Sequence, residues 1–546
     1  MNPFGPRAGD VVALGGTGLR LRIPDRVPDE HDEFRVGFAK TGRDGIGLRS
    51  VTTGESCDLL ITNVIVMDPV DGIRVASIGI RGNRISGIGK AGNPDVSDDI
   101  DIIVGSGTVV VDGDGLIATP GGIDTHVHGL SPRVLDSLIS SGVTTAITQE
   151  AGPMWGVGLG SPSVVRQALR SLDAFPLNIG VLGRGSTSRG EILRQAADSH
   201  VCGFKVHEDT GTTLSTLDVA LRTADEIDVQ VALHTDSLNE SLSVTDTIAV
   251  IDGRTVHAYH VEGCGGGHAP DVLRLAGREN IIASSTNPTL PFGINAVDEH
   301  VDMIMLSHGM DPERSTDVRI ARARVRAATM AAENRLHDLG VIPITSSDAQ
   351  GMGRAGETWW RTFALAAVMA DADECPDDND RLLRYLAKIT INPALAHGIS
   401  REVGRLAPGF LADIVLWQPT EFAAKPHLVL KSGYPTWGAT GDPNASIDSA
   451  EPRQLAEQFG AHGASPADLS VLFSNAAALA EGTAPTTRRA VAVRDCRTVR
   501  STDLIRHGVL GEIEVPGSAG APVRWQGENL TMEPVTHTPL SRLHFW

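Results

Sequence analysis

Eight short apolar segments alternate with longer stretches of helical pattern through the middle of the chain, and this alternation limits the possible folds more than any other feature. The predicted strands are Gly122–His128, Val143–Glu150, Leu177–Leu182, Cys202–His207, Val229–His234, Thr255–His260, Ile281–Ser285 and Val341–Ser347. Helical stretches such as Ser215–Ile227 lie between several of them. Strands that alternate with helices form parallel sheets, so the chain is predicted to be an α/β protein with a (β/α)8 TIM-type barrel. A doubly wound sheet is the alternative.

The two ends of the chain predict a smaller β-rich domain. Asp58–Met67 is typical of a strand, and Ile78–Ile80 and Arg84–Ile88 are typical of a hairpin around the turn Gly82-Asn83. Leu411–Trp417 has the pattern of another strand far along the chain. We expect it to join the N-terminal strands in one sheet beside the barrel.

These patterns predict three regions in a chain of 546 residues, which is longer than one core usually supports. Residues 1–120 form the N-terminal part of the composite β domain, and residues 121–400 form the catalytic barrel. Residues 401–546 complete the β domain and add a tail. Within the barrel, an insert at about 286–340 separates the last two predicted strands. A long insert on the catalytic face is commonly a lid or a binding loop.

Charge and cysteine content exclude several classes of partner. The net charge of −20 argues against nucleic acid or an anionic membrane, because both would repel the average surface. The five cysteines are scattered without a CxxC pair, which favours a reduced, cytoplasmic protein. The N-terminus lacks the pattern of a signal peptide, and no apolar stretch is long enough to predict a membrane span.

Polar side chains that can bind metal end several of the predicted strands. His126 and His128 alternate in GGIDTHVH, and alternate residues of a strand point to the same side. Lys205 and His207 repeat this spacing in GFKVHED. A lysine within an apolar strand is costly unless it is paired or modified. Carbamylation by carbon dioxide would turn Lys205 into an anion that can bridge two cations. The alternative is an unmodified lysine that snorkels to the surface or pairs with Glu208 or Asp209.

Three further strands end in the same way. His234 ends VQVALH, His260 ends TVHAYH and Asp348 ends VIPITSSD. For any one of them, the simplest interpretation is a polar residue at a strand end whose hydrogen bonds are satisfied. Five strands that all end in good metal ligands are hard to explain by chance. The set predicts a binuclear divalent metal site, formed by His126, His128, Lys205, His234, His260 and Asp348. Imidazole and carboxylate suit zinc, manganese or iron as well as nickel.

Beyond these ligands, the chain resembles the urease catalytic (alpha) subunits of the amidohydrolase superfamily. The resemblance covers nearly the whole chain and rests on GGIDTHVH, GFKVHEDTGTT, DVQVALHTDSLNES, EGCGGGHAPD, SSTNPTLPF, TSSDAQGMGRAGE, TINPALAHGI and GRLAPGFLADIVLW. It implies two Ni²⁺ ions bridged by carbamylated Lys205. His234 and His260 would bind the first ion, and His126, His128 and Asp348 would bind the second.

The resemblance also implies the remaining roles at the site. His207 would hydrogen-bond the substrate carbonyl, and Gly265 and Gly351 would contact the substrate. His308 in the insert would be the general acid, with Arg324 near it. The implied reaction is hydrolysis of urea to ammonia and carbamate, as in urea degradation. The implied partners are urease beta- and gamma-type subunits and nickel-loading accessory proteins, within an oligomer.

Three departures from the family pattern leave the substrate open. The insert corresponds to the flap of the family, and in it Ser307-His308-Gly309 replaces a Cys-His-His run. In the family the sequence HED is normally followed by Trp, whereas this chain has Thr210 at that position. The segment Thr148–Trp155 replaces a Gly-rich segment beside the substrate, so that Gln149, Glu150, Met154 and Trp155 could reshape the pocket.

The leading hypothesis is a urease-like hydrolase of urea, and the alternative is a paralogue acting on another small ureido, guanidino or amide compound. A non-catalytic paralogue is a third hypothesis, which the complete ligand set disfavours.

Overall fold

The computed structural model describes residues 5–24, 34–154, 156–234, 243–262, 270–375 and 378–538. Its centre is a parallel barrel of eight strands hydrogen-bonded in sequence order, which confirms the predicted fold. The barrel strands are β1 (Gly122–Val127), β2 (Val143–Thr148), β3 (Asn178–Arg184), β4 (Gly203–Val206), β5 (Gln230–Leu233), β6 (Val256–Ala258), β7 (Ile281–Thr286) and β8 (Ile344–Ser346).

The barrel closes where the chain leaves β8 and meets β1. The backbone N–H of Asp348 donates to the carbonyl of His126 at 2.9 Å, and that of His128 donates to the carbonyl of Ala349 at 2.9 Å. Because these bonds lie at the carboxyl ends of both strands, they bring three of the predicted ligands to one edge.

Amphipathic helices surround the barrel and bury its outer face. Leu214–Ile227 is one of them: a Thr213–Thr216 capping box begins it, and Leu217, Ala220 and Leu221 are buried. The helices between the first six strands are Arg133–Ser140, Pro162–Leu172, Gly190–Ala197, Leu214–Ile227 and Val244–Ile251. The helices that follow β8 are Thr358–Ala372, Asn379–Lys388 and Ile391–Ala396, with Ser465–Asp468 and Ala476–Glu481 later in the chain.

The insert between β7 and β8 contains three α-helices. These are Ala296–Ser307, Ser315–Arg324 and Ala327–Asp338. They pack around their own apolar cluster, which includes Val301, Ile304 and Met330. The basic stretch at Arg319–Arg326 lies largely on the second helix.

A nine-stranded sheet beside the barrel combines strands from both ends of the chain. The predicted hairpin is present, with Arg81 paired to Arg84 around Gly82. Ile414–Trp417 pairs antiparallel with Ile117–Pro120, which joins the two ends. The strands of this sheet are Leu59–Asp68, Gly72–Arg81, Arg84–Gly89, Val109–Asp112, Ile117–Pro120, Ile414–Trp417, Leu428–Lys431, Tyr434–Thr440 and Gln454–Glu457.

The C-terminal segment also contributes to the barrel layer. Val471–Ser474 pairs parallel with β3, and Arg489–Ala492 pairs with it in turn. The remaining strands form small sheets: Val11–Ala13 with Arg20–Arg22, Ala91–Gly92 with Ile102–Ile103, and Ile513–Glu514 with Val523–Trp525 and Glu528–Leu530. None of the helices within the described ranges has the length and apolar character that crossing a bilayer requires.

Candidate metal centre

The carboxyl ends of the barrel strands bring the predicted ligands together in two groups. In the first group, His260 Nε2 lies 2.8 Å from His234 Nδ1. In the second, Asp348 Oδ1 lies 3.1 Å from His126 Nε2 and 3.2 Å from His128 Nε2. The rings of His126 and His260 lie 5.4 Å apart between centroids, so the two groups are adjacent.

Two of these ligands occupy a backbone conformation that non-glycine residues rarely adopt. His260 has φ of +38° and Asp348 has φ of +55°. Each residue lies two positions after the end of a barrel strand, where the chain turns. Strain of this kind persists only where the surroundings hold it, and it is concentrated at functional sites.

Lys205 lies on β4, fully buried beneath these ligands. Its Nζ is 3.9 Å from the centroid of the Tyr259 ring, and His126 stacks on the same ring at 3.9 Å. Nζ has no hydrogen-bond partner among the described residues. Burial lowers the pKa of Lys205 to about 7. An amine that loses its proton near neutral pH is the form that can react with carbon dioxide.

The donor atoms fit divalent cations. His126 Nε2 and Asp348 Oδ1 are buried without a hydrogen-bond partner among the described residues. One ligand atom each from His126, His260 and Asp348 lies within 4.8 Å of the others. Burial holds the pKa of His126 well below its usual value, so its ring is a neutral ligand. Burial lowers the pKa of His128 as well, but the carboxylates of Asp348 and Glu150 outweigh this effect and raise the pKa to about 9. The two carboxylates therefore favour a positive charge on the His128 ring.

Glu208 connects the first ligand group with the insert. Its Oε1 lies 3.1 Å from His234 Nε2 and 3.7 Å from His308 Nε2. A carboxylate behind a ligand histidine fixes the orientation of the ring. Glu208 also raises the pKa of His308, against the effect of burial. The sequence suggested Glu208 only as a possible partner of Lys205, because its contact with His234 depends on how neighbouring strand ends meet.

His207 stacks on His234, with 3.8 Å between the ring centroids. The backbone N–H of Asp209 donates to His207 Nδ1 at 3.2 Å. A neutral ring that accepts at Nδ1 carries its proton on Nε2. His207 can therefore donate a hydrogen bond from Nε2.

A cavity of about 280 Å³ opens above the ligands. It is lined by His128, Leu130, Glu150, Met154, Gly156, Val157, His207, Asp209, His234, Ser307, His308, Asp348, Gln350, Gly351 and Met352. Of the residues expected to reshape the pocket, Glu150 and Met154 reach it, whereas Gln149 is not part of its lining. Arg324 is half-buried at the end of its helix and is not part of this lining among the described residues. Gly265 and Trp155 lie outside the described residues.

A parallel eight-stranded barrel with this ligand set at its carboxyl edge defines a metal-dependent amidohydrolase, a hydrolase that acts on carbon–nitrogen bonds. Residues 117–443 match the family described as "Amidohydrolase family". The dihydropyrimidinase of Brevibacillus agri has a similar fold, with a TM-score of 0.51 and 15% identity over 69% of this chain and 94% of that chain.

Sequence relatives narrow this class to one family. Residues 1–111 match "Urease alpha-subunit, N-terminal domain". The chain is 54% identical to "Urease subunit alpha 1" of Streptomyces avermitilis over 100% of both chains. It is 55% identical to "Urease subunit alpha 2" of Streptomyces coelicolor, over 99% of this chain and 98% of the relative. The chain belongs to the urease alpha-subunit family.

Proposed function

We propose that this chain hydrolyses urea to ammonia and carbamate at a centre of two Ni²⁺ ions bridged by carbamylated Lys205. The observation that carries the proposal is the pair of ligand groups beside a buried lysine without a hydrogen-bond partner among the described residues. Relatives that match the chain over its full length are named urease alpha subunits. This does not favour the alternative of another ureido, guanidino or amide substrate.

The distances suggest which atoms would hold each ion. His234 Nδ1 and His260 Nε2 would hold one, and the second would be held by His126 Nε2, His128 Nε2 and Asp348 Oδ1. The choice of nickel rests on family membership, since these ligands also suit other divalent cations. When bound, two such ions polarise a carbonyl group and supply a nucleophilic water near neutral pH.

His207 is proposed to hold the substrate carbonyl oxygen. The bond that Nδ1 accepts from the Asp209 N–H places the proton of a neutral ring on Nε2. The ring is fixed by its stacking on His234, so the donor is oriented before substrate arrives. A fixed donor at a carbonyl oxygen stabilises the charge that develops there during attack.

His308 is proposed to protonate the departing amine. Its Nδ1–H donates to the carbonyl of Ile304 at 3.1 Å, which leaves Nε2 to exchange a proton within the cavity. Glu208 favours the protonated ring. His308 ends the helix Ala296–Ser307, so a shift of that helix would move the acid relative to the substrate.

The other predicted roles remain part of the proposal. Gly351 borders the cavity and packs against Asp348 and His128, which suits contact with a small substrate. Arg324 and Gly265 are proposed to assist the flap and the substrate because of the family resemblance alone. We also expect an oligomer with beta- and gamma-type subunits, since the relatives are named as subunits. The nickel-loading accessory proteins are proposed from the family resemblance, and the cytoplasmic location from the cysteine content.

The decisive experiment measures metal content and ammonia release on one sample. The chain is produced with its small subunits and accessory proteins, supplied with nickel and bicarbonate, and assayed with urea. We expect about two metal ions per chain and ammonia release. Two bound ions with no turnover of urea would contradict the proposed substrate. A chain that binds no metal would contradict the proposed centre.

A further inference from the structure

Glu150 is a buried carboxylate at the end of β2 that the proposed mechanism does not use. The residue is 3% exposed, and its Oε2 contacts His128 Nδ1 at 3.3 Å without the alignment of a hydrogen bond. The family pattern has a Gly-rich segment at this point, and a glycine would supply no carboxylate. The side chain is therefore part of the departure of Thr148–Trp155 from the family pattern.

The backbone holds Glu150 firmly against the end of β1. Thr148 Oγ1 donates to the carbonyl of Glu150 at 2.9 Å, and the N–H of Gly152 donates to the carbonyl of Gly129 at 2.7 Å. A side chain at Gly129 would begin 2.2 Å from the Glu150 carbonyl oxygen, so the close approach requires glycine. These contacts fix the backbone of Glu150 at the strand ends, so its side chain does not extend from a free loop.

The carboxylate faces the back of a proposed ligand. Glu150 Oε2 lies 3.3 Å from His128 Nδ1, whereas His128 Nε2 lies 3.2 Å from Asp348 Oδ1. The two ring nitrogens point in different directions, so Glu150 is behind the imidazole and not among the atoms that converge on the metal position. Glu208 stands in the same relation to His234 in the other ligand group.

We propose that Glu150 is a positioning residue that orients the His128 ring and strengthens it as a ligand of the second metal ion. A carboxylate at Nδ1 keeps the proton there, leaves Nε2 free to bind and makes that nitrogen more basic. The inference rests on the proposed binuclear centre. In each group of ligands, one histidine would then have a carboxylate at the ring nitrogen that does not face the metal. Glu208 has this position at His234, and Glu150 has it at His128.

The test compares Glu150→Gln and Glu150→Ala with the wild-type chain, each as the complete assembly. Binding of Ni²⁺ in the presence of bicarbonate is measured by equilibrium dialysis, and the unfolding temperature of the metal-free forms is measured in parallel. The wild type should bind two ions tightly. In Glu150→Ala, one of the two should bind about 10–100-fold more weakly. Glu150→Gln keeps an acceptor oxygen without the charge, so its loss should be smaller.

The control is Glu333→Gln, which changes a buried glutamate in the helix Ala327–Asp338. Glu333 accepts from Thr289 Oγ1 at 2.9 Å, and burial holds its pKa well above the usual range, so the neutral amide is a mild change. This control should bind both ions as the wild type does. Unchanged binding in Glu150→Ala would overturn the inference, as would equal weakening of both ions together with a loss of stability in the metal-free form. A wild type that binds fewer than two ions would instead refute the binuclear centre itself.

Discussion

The burial of Lys205 suits the carbamylation proposed for it, but it also destabilises the metal-free fold. Its amine is fully buried and has no hydrogen-bond partner among the described residues. We expect Lys205→Met to abolish binding of the metal pair while raising the stability of the metal-free chain by up to about 1–3 kcal/mol, because a buried polar group is replaced by an apolar one. Metal analysis and guanidinium unfolding of the chelator-treated protein measure the two effects.

A loss of stability in that variant would contradict this account of Lys205. It would mean that the amine has a stabilising partner in the metal-free chain. Leu233→Met is a suitable control, since Leu233 lies on the neighbouring strand β5, is also buried and is not a proposed ligand. It should leave metal binding intact.

Gly351 packs so closely against two of the proposed ligands that the position has no room for a side chain. A Cβ there would lie 2.4 Å from Asp348 Oδ1 and 2.9 Å from His128 Cδ2. Gly351→Ala should displace a ligand carboxylate and reduce kcat by about 10²-fold, with a matching loss of bound metal. Gly482→Ala is the control, since a Cβ at Gly482 meets nothing within 4 Å. Equal activity of the two variants would show that the ligands tolerate the displacement.

At the scale of elements, the helix Ala296–Ser307 brings a serine to the cavity where the family pattern has a cysteine. Ser307 Oγ lies 3.1 Å from His308 Nδ1, and both residues line the cavity. We expect N-ethylmaleimide to leave the wild type active and to inactivate Ser307→Cys, because only the variant carries a flap thiol. Among the cysteines that the structure describes, Cys57, Cys202 and Cys496 are buried, and a Cys375→Ser background removes the exposed one. Inactivation of the wild type at the same rate would point to another thiol, with Cys264 the first to test.

The contact between Glu208 and His308 predicts a pH effect. Because Glu208 raises the pKa of His308, the ring stays protonated to higher pH. The acid form is lost as pH rises through that pKa, so Glu208→Gln should move the alkaline limit of kcat/KM to lower pH. The midpoint is the quantity to measure, since the height of the profile also depends on His234. Asp209→Asn, which removes the weaker of the two charges, should shift the midpoint less. A midpoint that stays in place would assign that limit to another group.

The strands and their terminal ligands could be predicted because periodicity and abrupt polar endings are local signals. His234 and His260, for example, each end an apolar run, and the barrel rule places both at one edge. The partners of those ligands could not be predicted in the same way. Glu208 reaches His234 and His308 across three separate segments, which only the folded chain brings together. The location of Glu150 was easier to predict, because it follows β2 by two residues and so lies at the edge where the ligands converge.

At the scale of the whole molecule, Asp413 joins the β sheet to the barrel. Its Oδ2 accepts from Lys431 Nζ at 2.6 Å and from Asn178 Nδ2 at 2.7 Å, and its Oδ1 accepts from the Ser432 N–H at 2.9 Å. Asn178 begins β3, whereas Lys431 belongs to the nine-stranded sheet. The sequence predicted that the two ends of the chain share a sheet, but this connection depends on residues 235 positions apart.

Asp413→Ala should therefore destabilise the chain by about 3–5 kcal/mol, because it leaves the fully buried Lys431 without its counter-charge. Lys431→Met should cost less, since Asp413 keeps the hydrogen bonds from Asn178 and Ser432. Unfolding is best followed in guanidinium chloride, because urea is the proposed substrate. The exposed pair Arg194–Glu226 supplies the control, and Glu226→Ala should change stability little. If Asp413→Ala were as mild as Glu226→Ala, solvent or a rearranged neighbour would have to neutralise Lys431, and the Asp413 side chain would not be needed to join the sheet to the barrel.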